Sequence, residues 1–242
     1  MLFIKRNINI DGLKLSDLVN PNNSVDFYKS KKVRKHLVLC YGLKCCYCEA
    51  NIPSTAYFQV EHFYPKNPSS GLPTQFTQDP QIYQSNVINN IKNYHVACAR
   101  CNLLKSDFVG EAISPNYYHD GVQWKESKAA YINANIWYKG ALVECTPKYK
   151  DFCDKLKMNG ETGSEVTGLH SSSLLDRTIY LEETKKLLYA IYKLCKKQEY
   201  EGAKDLFNLI KKRFIREAPY SKMIINNLGV SFLKIKNFLK TH

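Results

Sequence analysis

Two short cysteine pairs, far apart in the chain, constrain what this sequence can fold into more than any other feature. Cys45 and Cys48 form the first CxxC pair, and Cys98 and Cys101 form the second. A CxxC turn can aim both sulfur atoms at one tetrahedral ion, and two such turns complete a closed four-cysteine site. The spacing therefore predicts that a structural zinc ion joins the two segments.

The competing use of a CxxC pair is thiol–disulfide exchange. A thioredoxin-like pair needs only one CxxC beside a βαβ pattern, and no such pattern is evident here. The nine cysteines are odd in number, and Lys5 and Arg6 interrupt the apolar start of the chain before a signal peptide could form. Reduced thiols or metal ligands are thus favoured over a disulfide framework. Since no run reaches about 18 apolar residues, we expect no membrane association and a cytoplasmic location.

The 49 residues between Cys48 and Cys98 are far more than the ~15–20 of a simple four-cysteine zinc site. A further element is therefore expected between the two cysteine pairs. The sequence VEHFYPK occupies positions 60–66, and the sequence NYHVACARCNLLK occupies positions 93–105.

These residues resemble the motif of the HNH, or ββα-metal, nuclease family. In that family one strand carries an acidic residue followed by a histidine, a second strand opens with asparagine, and a helix supplies another metal ligand. Glu61 and His62 look like the acid–histidine pair, Asn93 like the middle asparagine, and Asn102 like the final ligand. The resemblance covers roughly residues 40–108. It implies an α+β fold with a ββα-metal core stapled by the four-cysteine zinc site.

The resemblance assigns a role to each matched residue, and phosphodiester hydrolysis gives each role a chemical reason. His62 is expected to act as general base, because a neutral imidazole can take a proton from water. Asn93 is expected to position the segment that carries His62. Glu61 and Asn102 offer oxygen ligands for magnesium or manganese. Basic side chains expected to contact phosphate are Lys66, Arg100 and Lys105.

Two positions depart from the family pattern. Glu61 stands where aspartate is commoner, which shifts the carboxylate by about one bond. His95 stands where an aliphatic strand residue is usual, so it is either an extra ligand or a packed core histidine. The alternative for the whole set of residues is a non-catalytic, zinc-stapled module that binds nucleic acid or a protein partner.

The charge balance also favours a polyanionic partner. Lysine and arginine total 35 against 22 acidic residues, a formal net charge of +13. The segment 27–41 is predicted to form a basic helix capped by Asn23 or Ser24. Its lysines either contact phosphate or form a solvated face. Since connections this long are usually functional, the polar loop inserted at 66–90 is predicted to face the substrate.

The residues after the core are predicted to form additional secondary structure around it. Residues 131–138 and 141–145 predict a β-hairpin, and apolar residues from 174 onward recur at the spacing of three helices. Residues 177–242 carry 15 basic and 6 acidic side chains, so this basic helical appendage either tracks phosphates or docks a partner protein. The expected segments are 1–44, the core at 45–108, the hairpin and connecting region at 109–170, and the tail at 171–242.

The order of these motifs is similar to that of HNH nucleases in Septu and retron-linked bacterial anti-phage defence systems. The similarity implies an ABC or SMC-like ATPase partner and, through that complex, a retron reverse transcriptase with its msDNA. DNA is the first-choice substrate. RNA, including a tRNA, is the alternative because the chemistry uses an external water and needs no 2′-hydroxyl.

Overall fold

The computed structural model describes residues 9–10, 13–14, 18, 20, 24–53, 56–68, 71–108, 114, 116–127, 135–156, 158–159, 170–215 and 218–241. Helices are combined with small two-stranded sheets, so the fold is of the α+β kind. In chain order the elements are β1 (Asn9–Ile10), β2 (Leu13–Lys14), α1 (Lys31–Tyr41), β3 (Gln59–His62), α2 (Pro80–Ile82), β4 (Tyr94–Ala97), α3 (Ala99–Lys105), β5 (Tyr117–His119), β6 (Trp124–Glu126), β7 (Ile136–Lys139), β8 (Leu142–Cys145), α4 (Pro147–Lys155), α5 (His170–Lys196), α6 (Tyr200–Ile210) and α7 (Ser221–Thr241).

Contacts along the chain divide it into two compact units. The first unit comprises residues 1–136 and 145–157, and the second comprises residues 137–144 and 158–242. All residues of the predicted nuclease motif belong to the first unit. The three C-terminal helices belong to the second.

The centre of the first unit is the antiparallel pair of β3 and β4. Its register sets Glu61 opposite His95 and His62 opposite Tyr94. All four residues of β4 are buried, which is expected for a strand covered on both faces. Helix α3 begins immediately after β4, and the Cys98 sulfur caps it by accepting from the Cys101 amide at 3.5 Å.

Helix α1 begins later in the chain than the sequence predicts. Phe27–Lys29 forms a separate 3₁₀ turn, and the extended Ser30 caps the helix by accepting from the Val33 amide at 3.3 Å. The predicted cap at Ser24 is therefore wrong, and Asn23 lies outside the described residues. Val33, His36, Leu37 and Tyr41 form the buried face of the helix.

The loop predicted at 66–90 contains helical structure. Asp79 caps α2 by accepting from the amides of residues 81 and 82, and a π-helical turn follows at Tyr83–Val87. Phe76, Tyr83 and Val87 are buried, and the Tyr83 hydroxyl donates to the Pro65 carbonyl. The Tyr83 contact ties the insertion to the chain three residues after His62.

In the second unit, β7 and β8 form a hairpin with a two-residue connection. Gly140 in that connection has φ +62°, a conformation that glycine adopts without a steric penalty. The part of the predicted first strand at 131–134 lies outside the described residues. Asn227 of α7 holds the hairpin, since its side chain accepts from the Gly140 amide at 2.9 Å and donates to the Gly140 carbonyl at 3.0 Å.

Beyond α4, the described residues form the three helices α5, α6 and α7, as the apolar spacing from residue 174 onward predicts. Among the described helices, none has both the length and the apolar character needed to span a membrane. Their shared hydrophobic core contains Leu188 and Ile191 of α5, Ala203 and Ile210 of α6, and Leu239 of α7. Burial of this core stabilises the three helices, and the 11-residue α6 in particular would be marginal alone.

We expect Asn227→Ala to lower the free energy of unfolding by about 1–3 kcal/mol, because both backbone groups of Gly140 then lose their partner. Urea unfolding followed by circular dichroism would measure the change. Asn226→Ala is the matched control, since Asn226 is the exposed neighbour on the same helix. Equal effects of the two substitutions would contradict an anchoring role for Asn227.

Candidate functional site

The four cysteines of the two CxxC pairs lie together. The sulfur atoms of Cys45, Cys48, Cys98 and Cys101 are all within 4.8 Å of one another, and those of Cys48 and Cys98 are 3.9 Å apart. Metal–sulfur bonds of ~2.3 Å in a tetrahedron separate the sulfurs by about 3.8 Å. The cluster could therefore bind a metal such as zinc with little rearrangement.

Local backbone structure orients each cysteine pair. The turn that carries Cys45 is closed by hydrogen bonds from the Cys45 amide to the Ala50 carbonyl, at 3.0 Å, and from the Glu49 amide to the Cys45 carbonyl, at 3.1 Å. Cys98 and Cys101 occupy the cap and first turn of α3. A hydrogen bond from the Cys101 thiol lowers the pKa of Cys98, whereas hydrogen bonding to Cys45 raises the pKa of Cys101. A bound metal ion would be needed to hold all four sulfurs as thiolates.

Glu61 is buried on one face of β3. Its Oε1 atom accepts from the Lys105 ammonium at 2.7 Å and from the Tyr47 hydroxyl at 3.3 Å. Both members of the ion pair are almost completely buried, with side-chain exposures of 0% for Lys105 and 4% for Glu61. Burial raises the pKa of the Glu61 carboxyl, and the Lys105 charge partly offsets this rise.

His62 follows Glu61 on the strand, so its side chain projects to the other face. Its ring meets the rings of Tyr28 and Tyr94 edge-on, with centroids 5.2 Å and 4.7 Å away. The Nε2 atom is buried without a hydrogen-bond partner. Burial lowers the pKa of His62 to about 3, and the positive charges of Lys66 and Lys105 add to this effect. The imidazole is therefore neutral at physiological pH.

Asn93 holds the backbone immediately after His62. Its Oδ1 accepts from the Tyr64 amide at 2.8 Å, and its Nδ2 donates to the carbonyls of Tyr64 and Ile88 at 2.9 and 3.2 Å. Its own carbonyl accepts from the Phe63 amide at 3.0 Å. With its side chain fully buried, Asn93 ties the end of β3 to the segment that precedes β4.

The remaining predicted residues surround this strand pair. Asn102 lies one helical turn before Lys105, so the two residues share one side of α3. The Lys66 ammonium lies 4.5 Å from the centroid of the Tyr28 ring and donates to the Val25 carbonyl at 3.5 Å. Arg100 is half-buried in the first turn of α3.

Lys105 differs most from its sequence-based interpretation. It was expected to reach a phosphate, but its ammonium is inside the protein, bound to Glu61 and to the His62 carbonyl at 3.0 Å. The physical reason is the buried carboxylate, which requires a neutralising partner. Lys105 therefore links α3 to the end of β3.

His95 is a packed histidine. Its Nδ1 lies 2.6 Å from the Tyr41 hydroxyl, and its Nε2 lies 3.0 Å from the Ser114 hydroxyl. Asn116 donates to the same Tyr41 hydroxyl at 2.8 Å. Both ring nitrogens are thus satisfied inside the core.

Sequence reasoning missed two tyrosines of the site. Tyr28 covers the His62 ring, and Tyr47 hydrogen-bonds Glu61. Tyr47 lies between the cysteines of the first pair, which is the only signal in the sequence that it is near the site. No signal marks Tyr28, because its contact depends on how the segment before α1 packs against β3.

No protein-family model matches the sequence, and the searches of curated proteins and of solved structures found no match either. The interpretation of the site therefore rests on the geometry described above and on the motif resemblance.

We expect Cys48→Ser to reduce bound zinc well below one ion per chain and to lower the melting temperature. The binding energy of a structural metal is folding energy, and a loss of ~4 kcal/mol corresponds to roughly 10 °C in a chain of this size. Metal analysis of the purified protein and differential scanning calorimetry would measure both effects. Cys195→Ser, outside the cluster, is the control. A variant that retains zinc and its melting temperature would refute the cluster as a metal site.

We expect Lys105→Met to lower the free energy of unfolding by about 3 kcal/mol, because it leaves a buried carboxylate unpaired. The double variant Glu61→Gln/Lys105→Met should recover most of this loss, since neither charge remains. Urea unfolding of the single and double variants would measure the coupling. Lys150→Met is the control, because Lys150 pairs with Asp154 on an exposed helix surface. A Lys105 effect no larger than the Lys150 effect would contradict this prediction.

Proposed function

We propose that this chain is an HNH endonuclease that hydrolyses phosphodiester bonds in nucleic acid. The observation that carries the proposal is the position of His62 at the end of β3. Its strand pairs with β4, β4 leads through Cys98 into α3, and Asn93 holds the backbone directly after the histidine. This is the order of elements that the motif resemblance implies for the family.

In this proposal His62 is the general base. Its neutral imidazole can accept a proton from the attacking water, and an anionic phosphate nearby would raise its basicity from the low value caused by burial. Nε2 is buried and the rings of Tyr28 and Tyr94 pack against the imidazole, so a neighbouring side chain has to move before water reaches this atom. Asn93 would keep the histidine in place during that movement.

The predicted magnesium or manganese ligands fit such an ion only in part. The amide oxygen of Asn102 suits a hard cation, but Glu61 is already bound to the Lys105 ammonium at 2.7 Å and is almost fully buried. We therefore derive no catalytic step through a metal bound to Glu61. Dependence on magnesium or manganese stays a prediction from the resemblance. Zinc is assigned to the four cysteines because sulfur ligands suit it.

DNA is the proposed substrate, with RNA as the alternative. The net charge of +13 favours a polyanion, and one face of α1 supports it locally. Lys31, Lys32 and Lys35 are exposed there, and the 3₁₀ turn that carries Tyr28 directly precedes this helix. A phosphate backbone along α1 would thus be close to His62.

The proposed partners come from the resemblance to defence-system nucleases. They are an ABC or SMC-like ATPase and, through it, a retron reverse transcriptase with its msDNA. Such a partner would restrain or trigger cleavage. The His62 Nε2 atom is covered in the chain alone, which favours triggering by the partner.

The burial of Glu61 and His62 also favours a second candidate function. A chain in which Glu61 is neutralised by Lys105 and His62 is enclosed by two tyrosines could bind nucleic acid or a partner without cutting. In that case the four cysteines and the buried polar contacts would serve folding only.

We expect the wild-type chain, with magnesium or manganese and with its ATPase partner present, to cut duplex DNA, single-stranded DNA or total RNA, and His62→Ala to lose at least about a hundredfold in rate. Gel electrophoresis of end-labelled substrates would measure cleavage, with and without EDTA. Tyr57→Ala, which alters a highly exposed tyrosine, is the control and should cut normally.

Cutting by the purified His62→Ala variant at the wild-type rate would refute the proposed base. If the wild-type chain and His62→Ala instead both bind a substrate tightly and both fail to cut it, even with an ATPase partner present, that result would identify the chain as a non-catalytic binding module. A melting temperature unchanged by His62→Ala would show that loss of activity is not loss of fold.

A further inference from the structure

A groove in the second unit has no role in the proposed nuclease reaction. It lies between the C-terminal halves of α5 and α7 and has a volume of about 680 Å³. We call it the α5–α7 groove. Its lining is mainly apolar and includes Leu188, Tyr189, Tyr192, Ile235 and Phe238.

The floor of the groove borders the core shared with α6. Leu188 lines the groove and is buried in that core, and Ile235 also lines the groove and packs against the core. By contrast, Tyr189 is 59% exposed and Tyr192 is 48% exposed. Contiguous exposed apolar surface with a polar rim is typical of interaction sites, and exposed tyrosines often contribute much of the binding energy there.

Both charged residues that line the groove are lysines. Lys196 and Lys234 line the groove, and the Lys196 ammonium lies 5.1 Å from the centroid of the Tyr192 ring. The sequence has no aspartate or glutamate between Leu187 and Lys196, and none in α7. An occupant with negative charge beside its apolar surface would complement this rim.

The dimensions of the groove match a short helix. Its lining runs from residue 188 to residue 196 on α5 and from residue 231 to residue 238 on α7. At 1.5 Å per residue these stretches are roughly 10–12 Å long. Two turns of a docked helix, with apolar anchors at positions i, i+3 or i+4, and i+7, have the same length.

We propose that the α5–α7 groove binds an amphipathic helix of a partner protein whose apolar anchors are flanked by aspartate or glutamate. The mainly apolar lining favours this occupant over nucleic acid, because the groove offers two lysines beside a larger set of apolar side chains and no continuous row of basic residues. The lysines also disfavour a symmetric dimer through this groove, since two copies would bring lysines against lysines. The inference does not depend on the nuclease proposal.

The test uses the full chain as bait for a display library of helical peptides. Apolar side chains are randomised at the three anchor positions, and glutamate occupies the flanking positions. The tightest enriched peptide is then synthesised, and its Kd is measured by fluorescence anisotropy. We expect a micromolar Kd that rises at least tenfold for Tyr192→Ser and for Lys196→Glu/Lys234→Glu. The same peptide with glutamine in place of glutamate should also bind at least tenfold more weakly.

Lys204→Glu/Lys212→Glu is the matched control, because it makes the same change in net charge at exposed positions outside the groove. It should change the Kd by less than about twofold. Circular dichroism would verify that each variant remains folded, which is expected since the altered side chains are exposed.

Three results would overturn the proposal. The first is a failure of the peptide test: either no enriched peptide depends on Tyr192 for binding, or the tightest peptide binds equally well when glutamine replaces its flanking glutamates. The second is binding of single-stranded DNA or RNA that Lys196→Glu/Lys234→Glu abolishes and the control retains. The third is self-association of the wild-type chain, measured by analytical ultracentrifugation, that Tyr192→Ser abolishes.

Discussion

Four sulfur atoms within 4.8 Å of one another are the constraint on which the first unit depends. They join the turn after α1 to the start of α3, although 49 residues separate Cys48 from Cys98. Closing so long a loop costs entropy, and a bound metal would supply the free energy to offset that cost. The strand pair lies within this closed loop. A seven-residue helix such as α3 would not be stable alone, so the cluster also holds the helix that positions Asn102 and Lys105.

Within the loop, buried polar contacts decide the geometry of the candidate site. Lys105 joins α3 to β3 through Glu61 and the His62 carbonyl, while Asn93 joins the two ends of the inserted segment. Each of these groups would be costly to bury alone. Together these contacts fix the backbone of His62 in one position. The imidazole packs against the rings of Tyr28 and Tyr94 and its Nε2 atom is buried, so a reaction at this histidine requires movement of neighbouring groups.

The second unit has a different physical basis. Its three helices are held by a shared apolar core, and its positive charge is concentrated on their outer surfaces. The same lysines that make the tail basic also border an apolar groove. High net charge therefore does not by itself distinguish a nucleic-acid surface from a protein-docking surface. What distinguishes them is whether the lysines surround exposed tyrosines and leucines or form a continuous basic surface.

The sequence by itself determined the cysteine cluster and the three C-terminal helices, because these depend on residue spacing along the chain, while the succession of β3, β4 and α3 was implied by the motif resemblance. It did not determine that Lys105 lies inside the protein, that Ser30 caps α1, or that Tyr28 covers His62. Those outcomes depend on contacts between segments tens of residues apart. A lysine pattern on a helix is the same whether its ammonium faces solvent or a buried carboxylate. Only the tertiary structure placed Glu61 where it draws Lys105 inward.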